Sequence, residues 1–223
     1  MNAKLFFQAI AKFSLGVVLV GALIFLPAGT FAFPSGWLLM GILFVPMFLA
    51  GLVMMAKNPD LLKSRLVAKE KQKNQDLVVK LSGLMFIAGF IVAGLDFRFH
   101  WCPLPKGVTI GAAVAFLLAY VLYAEVLREN TYLSRTIQVQ ENQKVIDTGL
   151  YGIVRHPMYS ATVLLFLSMP LVLGSLIALF PFLFYPLLIA KRIRNEEQVL
   201  EAGLEGYKAY KTKVKYRLIP YIW

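Results

Sequence analysis

Between Lys12 and Lys57 the chain carries no charged residue at all. A run of that length cannot be buried in the core of a small soluble domain. One helix crosses the roughly 30 Å hydrocarbon core of a bilayer with about 20 residues, so the run holds two crossings. They divide where Pro27, Gly29, Pro34 and Gly36 gather into a turn. Residues 77–95 make a third span, interrupted only by Lys80, whose long stem can snorkel to the surface. Residues 107–124 make a fourth. Only 16% of the residues are charged, against about 25% in an average soluble domain, so the apolar runs have no soluble alternative.

Residues 157–190 also lack charge, but a straight helix of that length would run about 50 Å. Pro170, Gly174 and Ser175 stand near the midpoint, which predicts a helical hairpin of residues 159–173 and 176–190. Pro181 and Pro186 should kink its second leg. The expected fold is therefore all-α: a polytopic integral membrane protein of four transmembrane helices plus a C-terminal helical hairpin. With no internal repeat visible, residues 1–223 read as one membrane-embedded domain. Residues 1–32 could pass for a signal peptide, but an uncleaved first span is expected, because the rest of the chain is itself membrane-embedded.

Lysine and arginine set the expected orientation. The segment from Lys57 to Lys80 holds seven, the stretch from Lys191 onward eight, and Lys4 and Lys12 lie before the first span. These regions, and both termini, are expected in the cytoplasm. The turn at residues 27–36 has no charge, and the loop from Asp96 to Lys106 has only Arg98 and Lys106 as cations, so both should lie outside. The net charge of +11 then reflects membrane orientation and attraction to anionic headgroups, and no nucleic-acid partner is expected. The single cysteine, Cys102, rules out an internal disulfide, and no metal-site spacing is present. No obligatory protein partner is evident. The segment from Lys57 to Lys80 reads as an amphipathic surface segment or a mobile loop without chemistry of its own.

Polar residues collect in the last third. One cluster runs from Gln138 to Tyr151 and on through Arg155-His156-Pro157-Met158-Tyr159. Pro157 suits the first turn of a helix and disfavours helix before it, which puts Arg155 and His156 at the mouth of the hairpin. Exposed N–H groups and the helix dipole favour an anion there. The plainer alternative is that Arg155 anchors to lipid phosphate while His156 caps the helix. A second cluster follows the hairpin: Arg192, Arg194, Glu196 and Glu197, then Tyr207 and Tyr210. Arg192 and Glu196 are four apart and share a helix face. Alternatively the basic and aromatic residues here are interfacial anchors.

In order, the chain shows Val139-Gln140, Thr148-Gly149-x-Tyr151, Arg155-His156-Pro157-x-Tyr159, an apolar hairpin, Arg192-x-x-x-Glu196-Glu197, Tyr207-x-x-Tyr210 and Ile219-Pro220. This pattern resembles the isoprenylcysteine carboxyl methyltransferase family, and related membrane phospholipid methyltransferases share part of it. Some membrane sterol reductases carry a segment similar to Arg-His-Pro-x-Tyr. The resemblance covers residues 130–223. It implies cytoplasmic cofactor-binding segments that bring S-adenosyl-L-methionine to Gln140, Gln143, Lys144, Val145, Ile146, Tyr151, His156, Pro157, Met158, Tyr159 and Glu196, with Arg155 beside them and Arg192 contacting substrate. Two positions depart from the pattern: Gln143 replaces a common histidine, and Ser160-Ala161 stands where a glycine often follows the tyrosine.

The resulting expectation is a methyltransferase acting on a lipophilic acceptor that enters from the bilayer among membrane lipids. A carboxylate acceptor is favoured, because it is already nucleophilic. An amine acceptor, as in a phospholipid N-methyltransferase, would need a proton acceptor, and Glu197 is the candidate. A sterol-type reductase would need a second nucleotide-binding motif, and none is seen. A transporter or other non-catalytic membrane protein would show intramembrane charges and paired repeats.

The charge distribution generates a topology prediction. A membrane-impermeant thiol reagent added to intact cells should label Cys102. Protection of Cys102 that persists after local denaturation would count against the expected orientation.

Overall fold

The computed structural model describes residues 3–66, 73–133 and 139–223. Its long helices are α1 (Ala3–Ala28), α2 (Pro34–Lys57), α4 (Lys73–Phe99) and α5 (Lys106–Glu129), with a short α3 (Pro59–Leu66) between α2 and α4. The hairpin region gives α6 (Pro157–Val172), α7 (Leu179–Phe182) and α8 (Tyr185–Gly203), followed by α9 (Tyr207–Lys213). Among the described residues four helices are long and apolar enough to span a membrane, and they are the four expected. The molecule is an all-α polytopic integral membrane protein.

Helix α1 packs mainly along α4, and α6 along α5. Their interior holds Ile24, Leu39, Phe116, Val172 and Phe182, all essentially inaccessible. Outward faces are as apolar as the interior: Leu26, Val121 and Leu187 are well exposed. In a bilayer that exposure is contact with acyl chains, so burial of apolar surface does not hold these helices together. Close packing does. Gly94 is the clearest case, because a Cβ there would sit 2.6 Å from the Ile24 carbonyl oxygen and 3.0 Å from the Ala28 nitrogen. The missing side chain is what lets α1 and α4 approach.

The two loops expected on one side do share one end of the bundle: the Arg98 guanidinium lies 3.5 Å from where a Cβ on Gly29 would be. The hairpin turn reaches the same end. Gly174 takes a left-handed φ of +77°, its carbonyl accepts from the Leu104 N–H at 2.8 Å, and the Leu176 N–H donates to the Cys102 carbonyl at 3.3 Å. The hairpin therefore reaches the level of the α4–α5 connection, although α6 on its own, at 16 residues, is only about 24 Å long.

The second leg is not the kinked helix expected from Pro181 and Pro186. It is broken: Leu183 and Phe184 separate α7 from α8, and Pro186 lies in the first turn of α8. A proline has no N–H to give and clashes with the preceding turn inside a helix, whereas in a first turn neither penalty arises. In the segment from Lys57 to Lys80, α3 is helical and buries Leu61 and Leu62, so this part is docked. Residues 67–72 of that segment, and Gln138 of the first polar cluster, lie outside the described residues.

The α1–α4 crossing generates a stability prediction. Gly94→Ala should destabilise the detergent-solubilised protein by about 1 to 3 kcal/mol, because both near contacts are backbone and cannot swing aside. Gly41→Ala, where a Cβ meets nothing within 4 Å, should be neutral or gain up to about 1 kcal/mol. Denaturant unfolding of the two variants beside wild type is the measurement.

Candidate functional site

At the charged end of the bundle, the mouth of α6, the middle of α8 and the segment 139–156 converge on a cleft. Its lining includes Gln143, Lys144, Val145, Ile146, Tyr151, Arg155, His156, Met158, Tyr159 and Glu196, all named from the sequence. Asn130, Tyr132, Leu133, Leu200, Leu204, Tyr207 and Tyr210 join them. Gln140 and Pro157 do not line it. The Gln140 side-chain amide donates to the Tyr132 carbonyl, and its backbone N–H donates to Gln143 Oε1 at 2.9 Å. Gln140 thus shapes the loop while Gln143 faces the cleft. Pro157 is buried as the first residue of α6.

One wall is built on Val126, Leu133 and Tyr151, the other on Leu204, Tyr207, Tyr210 and Val214. The Tyr210 hydroxyl donates to the Tyr151 carbonyl at 2.7 Å and ties the two walls. Asn130 Nδ2 donates to the Tyr151 hydroxyl at 3.0 Å. Gly149 starts the turn that presents Tyr151. Its φ is +54°, and a Cβ there would meet the Glu129 carboxylate at 3.2 Å.

Behind the cleft, Glu197 is 3% exposed. Its Oε1 accepts from Arg155 Nε at 2.8 Å and faces His156 Nε2 at 3.4 Å, while Oε2 accepts from Arg217 Nε at 2.9 Å. Arg155 also donates from Nη1 to the carbonyls of Val214 and Lys215, at 2.6 and 2.8 Å. The backbone N–H groups of Arg155 and His156 donate to the Tyr216 and Arg217 carbonyls, each at 2.9 Å. The anion expected from a ligand at the helix mouth is therefore supplied from within, by Glu197. Arg155 and His156 line the cleft from behind, as a clamp on residues 214–217.

Burial would push the Glu197 carboxyl up, but hydrogen bonds from His156 and Arg155, and their charge, outweigh it and hold its pKa down at about 2. Glu197, which the amine alternative named as its base, is not among the residues that line the cleft.

Glu196 behaves differently. The Tyr159 hydroxyl donates to Glu196 Oε2 at 2.6 Å and accepts from Arg192 Nε at 2.9 Å. Arg192 and Glu196 share a face as expected, yet a tyrosine relays between them. Glu196 lines the cleft, whereas the buried Arg192 lies behind Tyr159 and one turn nearer the apolar part of α8. The clearest sign of a ligand is Tyr207, which the spacing with Tyr210 marked only as part of a pattern. Its hydroxyl is buried and has no hydrogen-bond partner, and burial, then the nearby Glu197 and Glu196, push its pKa up. Tyr207, a neutral phenol, thus lines the cleft, and among the described residues nothing accepts from its hydroxyl. Unpartnered buried polar atoms are rare.

Comparison with known proteins places this region. Residues 110–202 match the isoprenylcysteine carboxyl methyltransferase (ICMT) family. A Delta(14)-sterol reductase of Mus musculus is 26% identical over 137 residues, covering 54% of this chain and 33% of that protein. The chain thus spans about a third of the length of that relative.

The ion cluster generates a pH prediction. Because the folded pKa of Glu197 is depressed, its contribution to stability is complete above about 4.5 and is lost as pH falls through about 2. Pepsin cleavage within residues 214–223, normalised to a free peptide, should rise over that window in wild type. Glu197→Gln should be cleaved already at pH 4.5, since it strands buried cations at a cost on the order of 3 to 5 kcal/mol. A wild-type profile that stays flat down to pH 2 would overturn the assignment.

Proposed function

We propose, from the cleft and from the match of residues 110–202 to the ICMT family, that the chain is a membrane methyltransferase that uses S-adenosyl-L-methionine. The acceptor is a lipophilic carboxylate arriving from the bilayer. The observation that carries the proposal is the cleft itself: both sequence clusters line it, and Glu196 and Tyr207 are among its lining residues.

That donor set fits the cofactor. Glu196 suits its ammonium or ribose hydroxyls, Tyr207 and Lys144 suit its carboxylate, and Val145, Ile146 and Leu204 form an apolar wall for the adenine. Tyr151 and Tyr159 present aromatic faces of the kind that attract a sulfonium. When bound, the cofactor supplies an electrophilic methyl group for in-line displacement. The protein's share is alignment and exclusion of water. Tyr159 links the cofactor side, at Glu196, to Arg192 on the bilayer side, and a guanidinium fork suits a carboxylate. No residue need remove a proton, which agrees with a Glu197 fixed as its anion. The name of the mouse relative, a sterol reductase, describes a protein acting on a lipid and supports a lipophilic acceptor. With the charged end in the cytoplasm, the cleft opens where the cofactor is available.

Two paired measurements test the proposal. Glu196→Gln should weaken cofactor binding about tenfold or more, as loss of a charge-assisted hydrogen bond implies. Arg192→Lys should leave cofactor affinity near wild type and lower methyl transfer about 10- to 100-fold, corresponding to about 1.4 to 2.7 kcal/mol. Arg194→Lys is the control and should change neither. Equal, near-wild-type transfer in both arginine variants would sink the substrate role of Arg192.

A further inference from the structure

A second groove lies between α1, α2 and α3, with a volume of about 350 Å³. Phe13, Met47, Phe48, Met55 and Leu62 form its walls, Lys12 and Arg65 also line it, and no acidic residue among the described residues does. Lys12 Nζ donates to the Leu66 carbonyl at 2.6 Å. Among the described residues neither cation is paired with a carboxylate.

Arg65 connects this groove to the candidate site. Its guanidinium donates to the Tyr123 hydroxyl on α5, lies 5.5 Å from the centre of the Tyr123 ring, and comes within 3.9 Å of Met158 Sδ. Met158 lines the cleft and adjoins Tyr159, the partner of Arg192. Arg65 and Arg192 thus contact consecutive residues of α6, Met158 and Tyr159, both of which line the cleft.

A larger groove of about 880 Å³ runs between α5, α6 and α8. It is less suitable: like the α1–α2–α3 groove it shares no lining residue with the cleft, and among the described residues its one cation, Arg194, makes no contact like that of Arg65 with Met158.

We infer that the α1–α2–α3 groove admits the methyl acceptor as an anionic, single-chain amphiphile, with its tail along α1 and α2 and Arg65 drawing its acid group toward Met158, beside the Tyr159–Arg192 pair that orients it for transfer. The inference rests on the methyltransferase reading. Thioether side chains adapt to a flexible apolar tail, and a partly buried guanidinium without a carboxylate partner selects an anion. Charge also separates substrate from product. One carboxylate oxygen takes the methyl group, the carbon–sulfur bond of the sulfonium breaks, and its electron pair stays on sulfur. The products are a neutral ester and a neutral thioether, and no proton is transferred. The ester carries no charge for Arg65 to hold, so it returns to the bilayer.

Photo-crosslinking on the full-length protein in nanodiscs tests this without cofactor. The probes are diazirine-bearing hexadecanoic acid, its methyl ester, and a trimethylammonium amphiphile with the same tail. The acid should label α1 and α2 around Phe13 and residues 47–55, in competition with unlabelled acid, at least tenfold above the other two. Arg65→Gln and Lys12→Gln, each checked for native helicity, should reduce that labelling, Arg65→Gln by about tenfold. Equal labelling by all three probes, no response to either variant, or competed labelling confined to Val163, Leu167 and Leu187 would overturn the site. Failure of the methyltransferase reading shows elsewhere, as no transfer of labelled methyl from S-adenosyl-L-methionine to extracted lipids by wild type. If wild type transfers, Arg65→Gln should raise the KM for the acceptor about tenfold with cofactor affinity unchanged, and an unchanged KM would also overturn it.

Discussion

Glu197 is a carboxylate with almost no access to solvent, and it stays charged only because Arg155, His156 and Arg217 surround it. The desolvation cost of such a group is several kcal/mol, so the three donors must be placed together or not at all. The donors come from the mouth of α6 and from the segment after α9, the carboxylate from the middle of α8, and the cluster joins all three. It also orients its neighbour. Consecutive residues on a helix point about 100° apart, so fixing Glu197 inward turns Glu196 toward Tyr159 and the cleft. One carboxylate is structural and the next faces the site because of where each lies on one turn of α8.

The hairpin gives this arrangement a rigid base. At the far end its turn is tied by backbone hydrogen bonds to the α4–α5 connection, and along its length α6 packs on α5. The polar cleft thus stands at one end of helices that are otherwise apolar inside and out. Electrostatic interactions at such a boundary are stronger than in water, which suits the proposed lipid acceptor, its tail in the bilayer and its head toward Met158 and Tyr159.

The four spans and the hairpin were legible because membrane insertion is read from local composition: a long uncharged run has few alternatives to a helix across a bilayer. Most of the cleft lining was legible too, since the two polar clusters flank the hairpin and a hairpin returns its ends to one side. Roles were less legible than membership. Arg155 and His156 read as receptors for a ligand anion because the helix mouth favours any anion, and sequence does not say that Glu197, more than forty positions away, supplies it. Gln140 and Pro157 sit within the right segments but turn to structural tasks.

Arg65 and Tyr207 show the same limit from the other direction. Arg65 lay in a lysine-rich stretch that read as a surface segment, and only the docking of α3 brings it to Tyr123 and Met158. Tyr207 looked like one of several interfacial aromatics until burial left its hydroxyl without a partner. The sequence alone determined that this is a membrane protein of four spans and a hairpin with its polar residues at one end, because hydropathy and proline placement act over a single turn or a single span. The tertiary structure alone decided which carboxylate is neutralised and which faces the cleft, and which cations have no acid partner among the described residues, because pairing depends on distances between segments far apart in the chain.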